Sequence, residues 1–290
     1  HGVFMRIVTH SGKFHADDVL AWSLLCHFHP NGSLFTLERT RDENIIEAAD
    51  IVFDVGGIYD PANGRFDHHQ NEYSGPLSSA GMMLQWLTES GWIPTSLGTR
   101  LNEGLVSYVD DVDNGRVEER PYVPCFSRMV NLFNASADTL EEFDTQFHHA
   151  ANVATGMIAG FESQFNQEQA AKRLVLTEMT RDREFNNLLE FPKYLSWKST
   201  YYDNDGSNHP TQFVMFPSMH GKWQVSAIPP TIESFAQKKS FPIEWAGLRD
   251  EELSAITGVP SVFCHKNRFI AVFETRDAAI SAMLRFNLLD

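Results

Sequence analysis

"DIVFDVGG", residues 50–57, runs an apolar stretch into an aspartate and two glycines. Buried strands of parallel sheets read as short, continuous apolar runs, and glycine lets the chain turn sharply afterwards. Upstream, "FMRIVTH" (4–10) and "SLFTLERT" (33–40) share this strand character. Between them, "ADDVLAWSLLCHF" (16–28) carries an apolar helical face at Val19, Leu20, Leu24 and Phe28. "RDENIIEAA" (41–49) reads as a short helix. Strand, helix, strand, helix, strand predicts a parallel sheet with crossover helices. Ligands of such sheets sit outside the carboxyl ends of the strands, where His10 and Asp54 stand.

Downstream, the pattern is mainly helical from "SSAGMMLQWLTESG" (78–91) to about residue 190, with breaks near Gly91–Pro94, Gly115–Pro124 and Asn134–Asp138. After "EFPKY" the character changes. "QFVMFP", "KWQVSAIPP", "SVFCH" and "RFIAVF" read as strands, "TRDAAISAMLRF" as a closing helix and "DNDGSN" (203–208) as a hairpin turn. Taking Met5 as the natural start, we expect an α/β protein of two domains. Residues 5–190 form a parallel-sheet domain with a helical extension, and 191–290 a smaller α+β domain closing over a cleft. His148 and His149 are expected to be surface or packing residues, and the late Trp and Phe residues the core of a small sheet, not a base-stacking platform.

With 42% apolar and 21% charged residues over 290 positions, the composition is that of a soluble globular protein. No apolar run reaches membrane-span length, so no membrane partner is expected. Cys26, Cys125 and Cys264 are far apart and form no CxxC pair, which fits a reduced, cytoplasmic setting. A formal charge of −15 argues against a broad, sequence-independent grip on nucleic acid, though not against one held locally in a cleft. Homo-oligomerisation is left open by the sequence.

The chemistry concentrates in "THSGKFHADD" (His10, His15, Asp17, Asp18), "FDVGG" (Asp54), "FDHHQ" (Asp67, His68, His69) and "YVDDVDNG" (Asp110, Asp111, Asp113, Asn114). Converging carboxylates about 4 Å apart repel by roughly 4 kcal/mol per pair at an effective dielectric of 20. Cations resolve that repulsion. Imidazole plus carboxylate without thiolate suits Mn²⁺, Co²⁺, Fe²⁺ or Zn²⁺, while Mg²⁺ prefers fewer histidines. Mn²⁺ is the expected ion, and two ions sharing a carboxylate fit so many candidate ligands better than one. Such a pair generates hydroxide near neutral pH and clamps both oxygens of a displacement.

These ordered motifs resemble those of the DHH phosphoesterase superfamily. More narrowly, "THSGKFHADD", "RTRD", "DIVFDVGGIYDP", "RFDHHQ", "SSAG", "VDNG" and the late "GLRDEELSAITGVP" resemble the branch named after a melanocyte-proliferating gene. That branch has been labelled a metal-dependent protein hydrolase and, in a eukaryotic member, an RNA exonuclease. The resemblance implies His10, His15, Asp17, Asp54, His68 and Asp110 as metal ligands, with Asp54 bridging. It implies His69 at the phosphoryl or leaving group and Asp67 orienting the histidines. Asp113 replaces or supports Asp110, with Asn114 beside it. Consecutive residues of an extended chain point opposite ways, so His68 and His69 are not expected on one ion. Arg39 and Arg41 are candidates for phosphate oxygens. Ser78 and Ser79 most simply cap the following helix, whose N-terminus is also a place for an anion.

One departure stands out. Where the branch tends to read Phe-Ile-Gly-Gly-His, this chain has Phe269, Ile270, Ala271, Val272 and Phe273, implying a changed grip on substrate in the second domain, or none. The expected function is divalent-metal-dependent hydrolysis of a phosphodiester, with RNA or a short oligonucleotide cleaved from its end. The rivals are hydrolysis of a small phosphorylated compound, such as pyrophosphate or a cyclic dinucleotide, and a non-catalytic metal-binding regulator.

Overall fold

The computed structural model describes residues 4–290. The chain divides into two compact units, His1–Phe165 and Asn166–Asp290. The division falls inside a helix, ahead of the change of composition near residue 190. A continuous helix leaves no turn signal where its packing partners change.

The first unit opens with β1 (Arg6–Thr9), α1 (Ala16–Phe28), β2 (Thr36–Arg39), α2 (Glu43–Ala48) and β3 (Ile51–Phe53). Strands β2, β1 and β3 are parallel, with Ile7 opposite both Leu37 and Ile51, as the sequence pattern requires. Two short strands, β4 (Tyr59–Asp60) and β5 (Arg65–Phe66), extend the sheet to the order β2-β1-β3-β5-β4. The turn between them is "PANG", and the two strands pair antiparallel. Gly64 makes that turn at φ +71°, and a Cβ there would lie 2.2 Å from the Asp50 carbonyl, so only glycine fits. Arg65 then donates to the Glu47 and Ala49 carbonyls at the end of α2, satisfying acceptors that the helix leaves open.

Strand periodicity sorts the core. Val8 and Val52 face α2 through Ile45 and Ile46, while Ile7, Ile51 and Phe53 face α1 and α3 (Ser79–Glu89). Helix α1 is buried almost all round, from Asp17 to Leu25, and not only along its apolar stripe. The reason is that α3 and α6 (Phe126–Leu132) pack against it from further sides. Between them run α4 (Thr95–Leu101) and α5 (Ser107–Asp113), joined by a π-helical turn at Asn102–Val106. Helix α7 (Leu140–Thr180) follows, and on it His148 packs edge-on against Trp22 and Phe147.

The second unit holds β6 (Leu188–Glu190), α8 (Lys198–Asp203), β7 (Phe213–Pro217), β8 (Trp223–Ala227), α9 (Asp250–Thr257), β9 (Ser261–Cys264), β10 (Ile270–Phe273) and α10 (Arg276–Arg285). Its sheet order is β6-β7-β8-β10-β9, antiparallel except for β6 and β7. Phe213, Phe241, Trp245 and Phe273 fill one core, as expected of the late aromatics. "DNDGSN" is not a hairpin turn: it ends α8 and continues as a 3₁₀ turn at Gly206–Asn208. Among the described residues no helix is long and apolar enough to cross a membrane.

Candidate metal centre

The carboxyl ends of β1 and β3 and the loop after β5 meet at one place. His10 follows β1 and is buried, with Nε2 3.0 Å from Asp18 Oδ2 and 3.2 Å from Asp54 Oδ2. Asp54, directly after β3, has φ +57° in the left-handed region, which costs most side chains ~1 kcal/mol or more and suits Asp, Asn and Gly best. Its backbone N–H donates to the Phe66 carbonyl, pinning the residue across β3 and β5. Its two carboxylate oxygens serve different neighbours: Oδ2 faces His10, while Oδ1 lies 3.4 Å from His68 Nε2 and 3.6 Å from His69 Nδ1.

His68 Nε2 lies 2.9 Å from Asp113 Oδ2 and 3.2 Å from Asp17 Oδ2. Its other nitrogen meets Asn114 Oδ1 at 3.0 Å. Asn114 is held the right way round, because its Nδ2 donates to the Pro76 and Asp110 carbonyls. His68 Nδ1 therefore carries a proton, and in the neutral ring Nε2 is left with its lone pair toward the carboxylates.

Asp67 bonds to both histidines of the motif. Oδ1 accepts from the His68 N–H and from His69 Nδ1, and Oδ2 accepts from the Gly57 N–H. The two rings do not point opposite ways, however. Residues 67–69 lie beyond β5 in irregular chain, and the ring centroids of His68 and His69 are 4.2 Å apart. The alternation of an extended strand does not apply there.

Charges follow from this crowding. Burial disfavours a charged His10, but Asp18 and Asp54 outweigh it and lift the ring to about 10. Burial opposes charge on His68 as well, yet Asp113, Asp17 and Asp54 drive it upward. Asp54 is pushed up to about 7 by burial and by the neighbouring Asp17 charge. The hydrogen bond to Asp67 raises His69.

Three of these buried atoms, Asp18 Oδ2, Asp54 Oδ1 and His68 Nε2, make no well-directed hydrogen bond among the described residues and meet only the crowded ion-pair contacts above. Buried polar atoms are rarely left unpaired. Here they belong to three overlapping groups: His10, Asp18 and Asp54; Asp17, His68 and Asp113; and Asp54, Asp67, His68 and His69. Carboxylate oxygen and imidazole nitrogen are the donors that divalent first-row ions take, so the residues present fit such a cation.

Two expected ligands lie outside these groups. His15 lines the cavity as an exposed residue, and its backbone N–H binds Asp18 Oδ1. Asp110 is buried and turned away, its Oδ1 accepting from the Ser78 N–H, the Ser78 hydroxyl and the Gly81 N–H at the start of α3. Asp113, one helical turn on, is the member that reaches His68. Asp18, for which the motif implied no role, joins His10. Its signal was the adjacent pair of acids at a helix start.

Of the four substrate-contact candidates, Ser78, Ser79 and Arg39 are buried. Ser78 and Ser79 are fully buried, and neither hydroxyl caps α3: Ser79 Oγ donates to the Phe66 carbonyl. The anion at that helix N-terminus is the protein's own, since Asp17 accepts from the Ser79 and Ala80 N–H groups beside Asp110. Burial keeps Asp110 up at about 6 despite these donors. Arg39 is sequestered too, bonded to Asp144 and the Gly12 carbonyl beneath a face of Phe147. Arg41 alone of these four lines the cavity, with Lys13.

Gly81 shows how tightly Asp110 is seated. A Cβ there would stand 2.3 Å from Asp110 Oδ2. Gly81→Ala should therefore destabilise the fold by about 1–3 kcal/mol, as overpacking does, read from urea unfolding. Unchanged stability would mean that Asp110 does not fill that space.

A mostly parallel sheet with carboxylates and imidazoles gathered at the ends of its strands is the framework of a metal-dependent hydrolase, the class to which the family matched here belongs. The MYG1_exonuc model, described as "Uncharacterised protein family (UPF0160)", matches residues 6–286, and the chain belongs to this MYG1 family. It is 35% identical over 286 residues to a MYG1 protein of Chlamydia pneumoniae, covering 98% of this chain and 97% of that one. It is 30% identical over 321 residues to MYG1 exonuclease of Homo sapiens, covering 95% of this chain and 84% of the human one. A manganese complex of RecJ from Thermus thermophilus aligns at 12% identity with a TM-score of 0.29. That alignment covers 97% of this chain and 52% of RecJ, a likeness too loose to carry an argument.

Proposed function

We propose that the chain hydrolyses phosphodiesters with divalent cations and takes RNA or short oligonucleotides from an end. The observation that carries this is the gathering of buried carboxylate oxygens and imidazole nitrogens, three of them without a well-directed hydrogen bond, beside an open cavity of about 720 Å³. His10, Asp18 and Asp54 would hold one cation and Asp17, His68 and Asp113 a second, with Asp54 between them. When bound, such ions supply Lewis-acid activation and neutralise charge developing at phosphorus. Mn²⁺ is our choice, on the mixed imidazole and carboxylate donors.

The chain's own groups do the rest. Asn114 fixes the His68 tautomer, and Asp67 fixes the His69 ring at the cavity wall. His69 holds a proton for the leaving oxygen. Lys13 and Arg41, both exposed on the same cavity, orient a phosphate beyond the one being cut. Lys13 is the single lysine in residues 1–165, where nine Lys and Arg face 23 Asp and Glu. That scarcity of cations favours a short substrate end over a long backbone. It also supports the second reading, hydrolysis of a small phosphorylated compound.

The test is turnover with Mn²⁺ on RNA oligomers, a cyclic dinucleotide and pyrophosphate, alongside thermal unfolding with and without the ion. We expect the ion to raise the melting temperature, RNA to be shortened from an end, and Lys13→Ala to raise KM several-fold with little change in kcat. A cation-dependent rise in melting temperature without turnover on any substrate would make the chain a metal-binding regulator. Turnover of pyrophosphate alone would select the second reading.

A further inference from the structure

The sheet of the second unit is covered unevenly. Register places Phe216 opposite Gln224, and Ser226 opposite both Val214 and Ile270, on one face. Trp197 and Tyr201 bury the β6–β7 half of that face. Over β8 and β10 the face stays open, with Gln224, Ser226 and Ile270 only half-buried. A cavity of about 410 Å³ lies there.

Its chemistry is selective. Tyr194 and Phe235 are 68% and 100% exposed, which is unusual for rings with nothing to cover them. Trp197, Phe216 and Phe269 add further aromatic wall, so flat ring surface outweighs branched aliphatic surface. Lys198 is the one charged residue of the lining, and it lies 5.9 Å from the Trp197 ring. No Asp or Glu contributes, in a chain that has 38 of them. Gln224, Ser226 and Asn267 supply donors and acceptors.

We propose that this cavity binds a nucleotide, with its base against the aromatic rings and its phosphate at Lys198. Stacking needs flat rings open on one face, base edges need amide and hydroxyl partners, and a phosphate needs a cation with no carboxylate nearby. An aliphatic ligand would need neither the cation nor the amides. The cavity shares no lining residue with the cavity at the metal centre, and the proposal stands whether or not the chain is a nuclease. Its ligand is either a free nucleotide or one residue of an oligonucleotide.

The test is calorimetric titration of the full chain in chelator with AMP, adenosine, ribose 5-phosphate and a dinucleotide. We expect AMP to bind and ribose 5-phosphate not to. Phe235→Ala should weaken AMP about tenfold, as loss of a stacked base does. Lys198→Ala should weaken AMP but not adenosine, and Asp54→Asn should leave binding unaltered. Both variants at the cavity change exposed side chains, so folding is not at stake. A dinucleotide binding far more tightly than AMP assigns the site to an oligonucleotide, and equal affinity assigns it to the free nucleotide. Several results overturn the proposal: no nucleotide binding, binding lost in Asp54→Asn but kept in Phe235→Ala, or a chain dimer that Phe235→Ala dissolves without any nucleotide bound.

Discussion

Asp54→Asn is expected to abolish phosphodiester turnover and leave the folded chain intact. Both Asp54 oxygens are engaged, Oδ2 toward His10 and Oδ1 toward His68 and His69, so one amide nitrogen must replace an acceptor on one side. An amide also carries no charge with which to balance two cations. The backbone should tolerate the exchange, because asparagine shares aspartate's ease at positive φ, where Asp54 sits at +57°. Metal-free stability should not fall at neutral and higher pH. Burial and the Asp17 charge raise the Asp54 carboxyl from 3.8 to about 7, so the folded state binds its proton more tightly than the unfolded one. The cost of ionising it in the fold therefore grows as pH climbs from about 4 to 7, and asparagine removes that cost. The measurement pairs Mn²⁺-dependent turnover with unfolding in chelator at pH 8. Retained turnover would take Asp54 out of the bridging role, and a lower midpoint would refute the electrostatic account.

His69→Ala should lower kcat by about 10²-fold or more, as loss of a general acid does, with metal content unchanged. His69 has a 60% exposed side chain, the most open imidazole of the gathered groups, and its Nδ1 is tied to Asp67 at 2.7 Å. A ring steered by a carboxylate and open to the cavity is arranged to exchange a proton with substrate. Because it lies against the His68 ring, position alone does not separate donor from ligand. Elemental analysis does: loss of a metal equivalent in step with activity would make His69 a ligand. An effect on KM without kcat would make it a binding group.

The frame of the first unit was legible because its strands are apolar runs and its helices end at glycine or a capping acid. "DIVFDVGG" became β3, and Asp42 caps α2 through the Asn44 N–H. What escaped were β4 and β6, too short for periodicity and, unlike "DIVFDVGG", not set in an apolar run closed by glycines. In the site, types and order were readable but direction was not. Asp110 and Asp113 share a helical face, and only packing against α3 decides that one meets the Gly81 N–H and the other His68. Arg39 likewise looks like a phosphate contact until Asp144, far along the chain, claims it.

The imbalance of nine cationic against 23 acidic residues in the first 165 positions has a consequence for encounter. A polyanion approaching the metal-centre cavity meets net repulsion at long range, even after two divalent ions offset part of it. Dissolved salt shortens the reach of that field to about 8 Å at physiological ionic strength. Raising ionic strength should therefore ease the arrival of long substrates, whereas a basic nuclease loses grip as its counterion advantage fades. Under the proposed function, salt should help the enzyme, and short chain ends should feel its field least.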